Sequence, residues 1–296
     1  MIASIGLLCL TSCGDSEGVS TGSTPENPAG PTDCSALRID ELAETGPLSG
    51  LGSYFDRQVH VFGVHLVAAA SVSDRKLLHA AGVMAQYLDN DEDGSPDDAR
   101  VVEEMTRANA LLVMFGTEEE LEASGIFEDA SVRDFQIQDL YASETHPGGS
   151  SAETGFDASL EEVLHLISSA GWSAAYPEAF GEESGSRLTD AMDTARGGRF
   201  TSLPPSYPAA AWYHYDDPSC DYRCMATEYF YWSLTSILGA QDYPGRCEEI
   251  ADEWELCSAQ RVESGDEMVH RLLTDPSIAL PNQVPDGNYC TEGASS

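Results

Sequence analysis

Residues 158–170 read Ala-Ser-Leu-Glu-Glu-Val-Leu-His-Leu-Ile-Ser-Ser-Ala, and they carry the strongest indication of fold in this chain. At 100° per residue the apolar side chains share one arc of a helix, and the polar side chains share the other. The polar arc holds Glu161, Glu162 and His165. Because Glu161 and His165 are spaced i and i+4, they point in the same direction. The stretch therefore predicts an amphipathic helix with a small polar face.

The five residues Glu161-Glu162-Val163-Leu164-His165 resemble the zinc-protease helix motif His-Glu-x-x-His, with glutamate in place of its first histidine. In that motif two ligands one turn apart hold the metal, and the glutamate between them is the general base. The resemblance, to gluzincin-type members of the zincin-like metallopeptidases, implies that Glu161 and His165 bind Zn²⁺ or another divalent ion. It also implies that Glu162 activates water. A second carboxylate makes the ligand set harder, which favours calcium or manganese more than two histidines do.

A third ligand is expected on a later helix, because gluzincins take theirs from a glutamate there. The apolar stretch from Met225 to Leu238 predicts such a helix, and Glu228 lies within it. A lone carboxylate on so apolar a helix needs a partner, since burying it alone is costly. Four nearby side chains are candidate donors to an oxyanion, with Tyr231 chosen as the catalytic candidate: Tyr213, His214, Tyr229 and Tyr231.

The same helix has a second interpretation without a metal. Ser159 and Glu162 fit a capping box, and acidic residues in a first turn complement the helix dipole. In this interpretation His165 is partly exposed and pairs with Glu161. Both interpretations predict the helix, and they differ in whether it binds an ion.

An aspartate-rich loop predicts a calcium site earlier in the chain. It carries oxygen ligands at alternate positions and a glycine, Gly94, that permits a sharp turn. The candidate calcium ligands are Asp89, Asp91, Asp93, Ser95, Asp97 and Asp98. The flanking helices resemble an EF-hand, but Arg100 stands where its last glutamate ligand belongs, so Asp97, Asp98 or Glu103 must complete the shell. The other interpretation is a solvated acidic turn.

The remaining patterns predict an α-rich α+β fold, with zincin-like helices, a small sheet and a helix–calcium loop–helix unit. Residues 34–296 are expected to form one domain with a calcium-loop lobe at about 55–125 and a zincin-like lobe at about 126–290. The expected elements are a strand over Val59–Val67, helices over 73–88 and 99–115, a strand around Phe135–Ile137 that resembles the substrate-aligning edge strand of zincins, a loop over 201–219, and short helices within 248–273.

The first residues predict export. Leu10-Thr11-Ser12-Cys13 follows an apolar run and resembles the lipobox of bacterial lipoproteins, although no Lys or Arg precedes it. The resemblance implies a signal peptide over 1–12, a lipid on Cys13 that holds the protein to a membrane, and, because Gly14 follows, an outer-membrane or cell-surface location. Residues 13–33 are rich in Gly, Ser, Thr and Pro, which predicts a flexible tether.

The net charge excludes one class of partner, and the cysteines predict disulfides. With 51 acidic and 14 basic residues the net charge is −37, which excludes nucleic acid as a partner and suits saline surroundings or the attraction of cations. Six cysteines remain beyond Cys13, and their spacing favours one of the fifteen possible sets of pairs. The favoured disulfides are Cys220–Cys224, Cys247–Cys257 and Cys34–Cys290.

Together these patterns predict a lipid-anchored, calcium-binding exported protein with a zincin-like metal site that acts on peptides. The alternative is a non-catalytic calcium-binding surface lipoprotein with a structural or interaction role. The two hypotheses differ in whether Glu228 approaches His165 closely enough to share an ion with it.

Overall fold

The computed structural model describes residues 32–33 and 36–292, and it contains helices and a small mixed sheet, as the predicted α+β class requires. The strands are β1 (Thr32–Asp33), β2 (Asp40–Glu41), β3 (Arg57–Val61), β4 (Val64–Ala68), β5 (Ala110–Phe115), β6 (Gln136–Tyr141) and β7 (Thr291–Glu292). The helices are α1 (Asp74–Leu88), α2 (Ala99–Arg107), α3 (Glu118–Ser124), α4 (Ser159–Ile167), α5 (Ser173–Ala175), α6 (Pro177–Phe180), α7 (Arg187–Ala195), α8 (Tyr222–Leu238), α9 (Arg246–Glu249), α10 (Ala259–Gly265) and α11 (Glu267–Leu273).

Five strands form the main sheet in the order β2-β3-β4-β5-β6. The pairs β2–β3 and β3–β4 are antiparallel, whereas β4–β5 and β5–β6 are parallel. All six residues of β5 are buried, because apolar clusters cover both faces of the sheet. Within the described residues β6 is an edge strand, and most of its side chains are only half-buried.

The single strand predicted over Val59–Val67 is wrong. The structure has a hairpin there, in which β3 and β4 meet at Phe62 and Gly63 with φ of 49° and 92°. Positive φ at both central residues is the geometry of a two-residue hairpin turn whose twist matches the strands. The residues flanking this turn are valines that continue the alternating pattern, so the pattern alone shows no break.

The predicted helix over 99–115 is also too long. Helix α2 ends at Arg107, Asn109 takes a φ of 49°, and the chain continues as strand β5. Residues 110–115 are apolar on every side, so they fit a strand buried on both faces better than one side of an amphipathic helix.

Helix α4 continues through a π-helical turn, Ser168–Trp172, into α5. Gly171 lies in this turn so close to α2 that a Cβ atom would come within 2.6 Å of Cγ1 of Val101. On the other side the ring of Trp172 packs 5.6 Å from the ring of Phe230 in α8. This stretch is therefore held between the helix after the aspartate loop and the helix that carries Glu228.

Residues 278–292, which we name the C-terminal strap, cross the surface of α1. Oε1 of Gln86 accepts hydrogen bonds from the backbone N–H groups of Asp286 at 3.0 Å and Gly287 at 2.8 Å. Gly82, one turn earlier, makes room for the strap, because a Cβ there would lie 2.2 Å from the carbonyl oxygen of Gly287. The strap is thus fitted to this face of α1 by both hydrogen bonds and shape.

Two of the predicted disulfides are confirmed. Cys220 bonds to Cys224 with a Cα–Cα distance of 5.3 Å, and Cys247 bonds to Cys257 at 5.4 Å. Cys290 is also disulfide-bonded. Its predicted partner, Cys34, lies outside the described residues.

The predicted signal peptide over 1–12 and the acylated Cys13 lie outside the described residues. So does the predicted tether, except for its last two residues, which form β1 and pair with β7. Among the helices of residues 36–292, none combines the length and apolar character that crossing a bilayer requires.

Candidate metal centre

Helices α4 and α8 bring together the three residues that the sequence proposed as ligands. Atoms that could bind a metal on Glu161, His165 and Glu228 all lie within 4.8 Å of one another. The closest approach joins Nε2 of His165 to Oε2 of Glu228 at 3.4 Å. The helical spacing therefore placed Glu161 beside His165 correctly, and Glu228 faces both of them.

Nε2 of His165 and Oε2 of Glu228 are buried, and neither has a hydrogen-bond partner within the described part of the chain. Their side chains are only 7% and 11% exposed, and a buried polar atom without a partner is uncommon because its desolvation is not compensated. Two ligands bound at about 2.1 Å in tetrahedral geometry lie roughly 3.4 Å apart. The measured separation is thus the one expected for two ligands of a single ion.

Glu162 lies on the opposite side of the His165 ring. Its Oε2 accepts a 2.6 Å hydrogen bond from Nε2 of Gln138 on β6, and it lies 3.4 Å from Nδ1 of His165. A carboxylate beside the second nitrogen of a ligand histidine fixes the orientation of the ring and raises its basicity. Oε2 of Glu162 thus holds His165 in place. Gln138 is a member of this site that the sequence patterns did not indicate.

Burial and mutual repulsion shift the titration of these groups. Burial, together with the charges of Glu228 and Glu162, raises the pKa of Glu161 to about 8. Burial lowers the pKa of His165, but the charges of Glu228 and Glu162 on either side of the ring outweigh it and hold the pKa well above its usual value. Three carboxylates thus crowd one imidazole, and without an ion Glu161 retains a proton at neutral pH that a divalent metal would displace.

The predicted oxyanion donors are occupied by other partners. The buried hydroxyl groups of Tyr213 and Tyr229 donate to the carbonyl of Met225 at 2.8 Å and to Asp266 at 2.5 Å. The hydroxyl of Tyr231 accepts a hydrogen bond from the Gln241 amide at 3.2 Å, and its ring packs 5.4 Å from the His165 ring. Burial and the charges of Glu228 and Glu162 raise the pKa of Glu161, and the Tyr231 hydroxyl opposes that rise. Nε2 of His214 lies 2.9 Å from the carbonyl of Ala211.

Tyr215 is a half-buried phenol at this centre that the sequence interpretation missed. Its hydroxyl donates to Oε1 of Glu228 at 3.2 Å. Burial and the charge of Glu228 raise its pKa, so Tyr215 stays protonated and remains a donor at neutral pH. The only signal in the sequence is its position two residues after Tyr213.

The capping-box interpretation of α4 is wrong. Ala158 is the N-cap and has no side-chain cap, while Oγ of Ser159 is buried without a partner. Asp157 anchors the start of the helix instead, since it accepts from the backbone N–H of His146 at 2.9 Å and pairs with Nε2 of His79 at 2.6 Å. His165 is buried, not partly exposed. The polar face of α4 is therefore directed into the protein.

In the aspartate loop, oxygens of Asp89, Asp91 and Asp97 lie within 4.8 Å of one another, so these three could hold a metal ion. Asp89 is buried and accepts from the backbone N–H of Gly94 at 2.9 Å and from the hydroxyl of Tyr289 in the strap at 2.5 Å. Burial raises the pKa of both Asp89 and Asp97. Repulsion from Asp91 and Asp93 adds to the shift of Asp97.

The other proposed calcium ligands have different roles. Asp93 is exposed and accepts from the backbone N–H of Ser95 at 2.8 Å, and neither residue belongs to the group of three carboxylates. Asp98 is the N-cap of α2 and binds Arg100 and the hydroxyl of Tyr176, and it is not among the three carboxylates that converge. Glu103 is exposed on α2. Of Asp97, Asp98 and Glu103, it is thus Asp97 whose carboxylate lies near that of Asp89.

Comparisons of this chain with protein-family models, with curated proteins and with solved structures find no match.

Proposed function

We propose that the protein is an exported metallohydrolase, with a divalent ion such as Zn²⁺ or Mn²⁺ at Glu161, His165 and Glu228 and with peptides as its substrates. The observation that carries the proposal is the buried pair of Nε2 of His165 and Oε2 of Glu228, which face each other at 3.4 Å as an ion pair and make no hydrogen bond within the described residues. Their distance and chemistry fit an ion better than a direct hydrogen bond, which would be shorter.

The residues around the ligands have the chemistry for hydrolysis. A bound divalent ion would polarise the substrate carbonyl. Glu162, held at one oxygen by Gln138, lies on the Nδ1 side of His165 and would orient that ligand. Its role as general base, in which it would take a proton from the attacking water and pass it to the leaving amine, requires its second oxygen to reach round to the Nε2 side. Tyr215 would donate a hydrogen bond to the oxyanion by turning from Glu228.

The sheet offers a way to hold the substrate. An extended peptide that adds to an exposed sheet edge gains main-chain hydrogen bonds, and its side chains alternate between the two faces. Strand β6 is such an edge in the described part of the chain, and Gln138 joins it to Glu162. A peptide paired with β6 would therefore pass beside the candidate general base.

Metal analysis and kinetics together test this function. We expect one equivalent of a transition metal in the purified protein, and its loss in Glu228→Ala. Peptide hydrolysis should fall by about 10²-fold or more in Glu162→Gln, which keeps the shape of the side chain but cannot accept a proton. The exposed substitution Glu263→Gln is the matched control and should change neither quantity. Protein that binds calcium alone would overturn the proposal.

We assign the aspartate loop to calcium, because Asp89, Asp91 and Asp97 are hard oxygen ligands on a tight turn. Burial raises the pKa of Asp89 and Asp97, and repulsion from Asp91 and Asp93 adds to the shift of Asp97. Calcium there would neutralise these buried and crowded charges. Its role would be structural, since Asp89 also binds Tyr289 of the C-terminal strap.

The location is proposed from the sequence and supported by the disulfides, which persist in oxidising compartments. Lipid attachment at Cys13 would place the protein on an outer membrane or cell surface. Metabolic labelling with a fatty acid tests this, because the label should be absent from Cys13→Ala. Labelling that persists in this variant would contradict the lipid anchor.

A second function is favoured by how deeply the centre is buried. His165 and Glu228 are so little exposed that an ion between them would also tie α4 to α8. In that case the protein is a non-catalytic surface lipoprotein with a structural ion. Metal-loaded protein that melts at a higher temperature but hydrolyses no peptide would select this alternative.

A further inference from the structure

Tyr231 is a fully buried residue of α8 whose side chain reaches the candidate metal centre. Its ring packs 5.4 Å from the ring of His165 at an angle of 82°. It also follows Glu228 by three residues in the same helix, a spacing that puts the two side chains on one side of α8. The proposed hydrolysis does not use the Tyr231 hydroxyl, so its hydrogen bonds call for a separate explanation.

The hydroxyl of Tyr231 is linked to Arg246 through the side chain of Gln241. Arg246 is buried, and its guanidinium lies over the ring of Phe156, 4.5 Å from the ring centroid. Nε of Arg246 donates to Oε1 of Gln241 at 2.8 Å. Gln241 is fully buried, and its Nε2 lies 3.2 Å from the hydroxyl oxygen of Tyr231 and 3.0 Å from Oγ1 of Thr235. One amide thus connects a buried cation to a phenol at the metal centre.

The direction of each hydrogen bond in this chain is fixed by its donors. A guanidinium can only donate, so the atom of Gln241 that faces Arg246 is its oxygen, and its amide nitrogen faces the other way. The hydroxyl of Thr235 donates its one hydrogen to the backbone carbonyl of Tyr231 at 2.7 Å, so it accepts from Gln241. The second amide hydrogen goes to the Tyr231 hydroxyl, whose oxygen is therefore an acceptor.

The hydrogen of the Tyr231 hydroxyl needs an acceptor of its own. Because Tyr231 is fully buried, bulk water does not provide one. The carboxylate of Glu161 lies beside the His165 ring that Tyr231 contacts. Burial and the charges of Glu228 and Glu162 raise the pKa of Glu161, and the Tyr231 hydroxyl opposes that rise, as a donor to this carboxylate does. The hydrogen is therefore directed to Glu161.

We propose that Arg246, acting through Gln241 and Tyr231, is a positioning residue that holds Glu161 in the orientation of a metal ligand. This rests on the proposed function in one respect, that an ion binds at the centre. A partner that fixes a ligand carboxylate raises the affinity of the site for its metal. Tyr231 thus serves the binding of the ion and does not act on the oxyanion of a substrate.

Gln241→Glu tests the direction of the chain with almost no change of shape. A carboxylate at position 241 still accepts from Arg246, but it can only accept from Tyr231, so the phenol hydrogen turns away from Glu161. Affinity for Zn²⁺, measured by competition with a chromogenic chelator at constant calcium, should fall by about 10-fold or more. An effect of the added negative charge alone would have the opposite sign, because that charge attracts the ion.

Double variants separate this chain from a general loss of packing. Tyr231→Phe removes the hydroxyl and should lower Zn²⁺ affinity by about 10-fold or more on its own. Gln241→Glu should then cause no further loss, because the hydrogen that it redirects is absent. Arg246→Met lets the amide turn over, so it should weaken Zn²⁺ binding by a smaller factor and also have no further effect with Tyr231→Phe. The exposed control Gln260→Glu should change the affinity by less than about 2-fold.

The affinities decide this proposal, and peptide cleavage decides the hydrolase. Unchanged or tighter Zn²⁺ binding in Gln241→Glu, or losses that add in the double variants, would overturn the positioning role. If Gln241→Glu does not fold, Arg246→Met with Tyr231→Phe completes the same comparison. Wild-type protein that binds Zn²⁺, shows the non-additive losses and cleaves no peptide would support the positioning role and refute the hydrolase. Wild-type protein that binds no Zn²⁺ would overturn both.

Discussion

Replacing Glu161 by Gln should make the protein more stable without metal and less stable with it. Glu161 is a half-buried carboxylate near Glu162 and Glu228, and burial with those charges raises its pKa to about 8. Its protonated form is therefore favoured in the folded state. The folded protein therefore loses stability as pH rises from 4.5, the ordinary pKa of a glutamate, through about 8, the pKa of Glu161 in the folded state. A glutamine keeps the shape of the protonated side chain and has no proton to lose.

The size of the effect follows from the pKa. A rise from 4.5 to about 8 corresponds to at most roughly 5 kcal/mol of unfolding free energy above pH 8. Because the side chain is partly exposed, solvent screening should reduce this to about 2 kcal/mol. For a domain of this size that raises the melting temperature of metal-free Glu161→Gln by about 4–8 °C at pH 8. At pH 4.5 the two proteins should melt together.

The assay is thermal unfolding at several pH values with calcium held constant. A chelator selective for zinc gives the metal-free state, and added Zn²⁺ or Mn²⁺ gives the loaded state. At 100 times the dissociation constant, an ion stabilises the wild type by about 2.7 kcal/mol. Glu161→Gln should gain much less, because it lacks one ligand. A variant that is less stable than the wild type at pH 8 without metal, or gains as much from the ion, would refute the reasoning.

Three further perturbations test other parts of the structure. Gly82→Ala should lower the free energy of unfolding by about 2–4 kcal/mol in chemical denaturation, because its Cβ meets the carbonyl oxygen of Gly287 in the C-terminal strap. The control Gly52→Ala, whose Cβ has its nearest contact at 4.0 Å, should lower it by under about 1 kcal/mol. Equal losses in the two variants would contradict this prediction. Asp91→Asn should abolish the rise in melting temperature on adding calcium, and Asp98→Asn should keep it. Of the two residues, only Asp91 belongs to the three carboxylates that could hold an ion. The reverse result would contradict this set of ligands. Tyr215→Phe should lower kcat by about 10²-fold with the metal content unchanged, and an unaltered kcat would remove the hydroxyl from the reaction.

Local patterns predicted the parts of the fold in which one face of an element is buried. The helical spacing within 158–170 identified α4, and apolar composition identified α8. The strand β5 was missed because its residues are apolar on both sides, and such a run has no periodicity. The hairpin turn at Phe62 and Gly63 was missed because the strands on either side continue the same alternation.

At the candidate site, too, local patterns predicted some residues and missed others. The juxtaposition of Glu161 and His165 follows from helix geometry alone. The approach of Glu228 was an expectation taken from a resemblance, since the sequence does not state how α8 packs on α4. Gln138 and Tyr215 reach the site through tertiary packing, and no local pattern marks them. Asp98 caps α2, and the sequence alone does not separate a cap from a ligand because both use the same residue type.

The hydrogen bond from Tyr289 to Asp89 joins residues 200 positions apart. During synthesis or translocation the aspartate loop emerges long before Tyr289, which closes it. Its carboxylates therefore lack this hydrogen bond until nearly the whole domain has emerged. Contacts of such long range slow folding, because the intervening chain must first be ordered. Completion of the loop therefore depends on the C-terminal strap. Chains that end before residue 289 should leave the loop incomplete and be substrates of quality-control proteases.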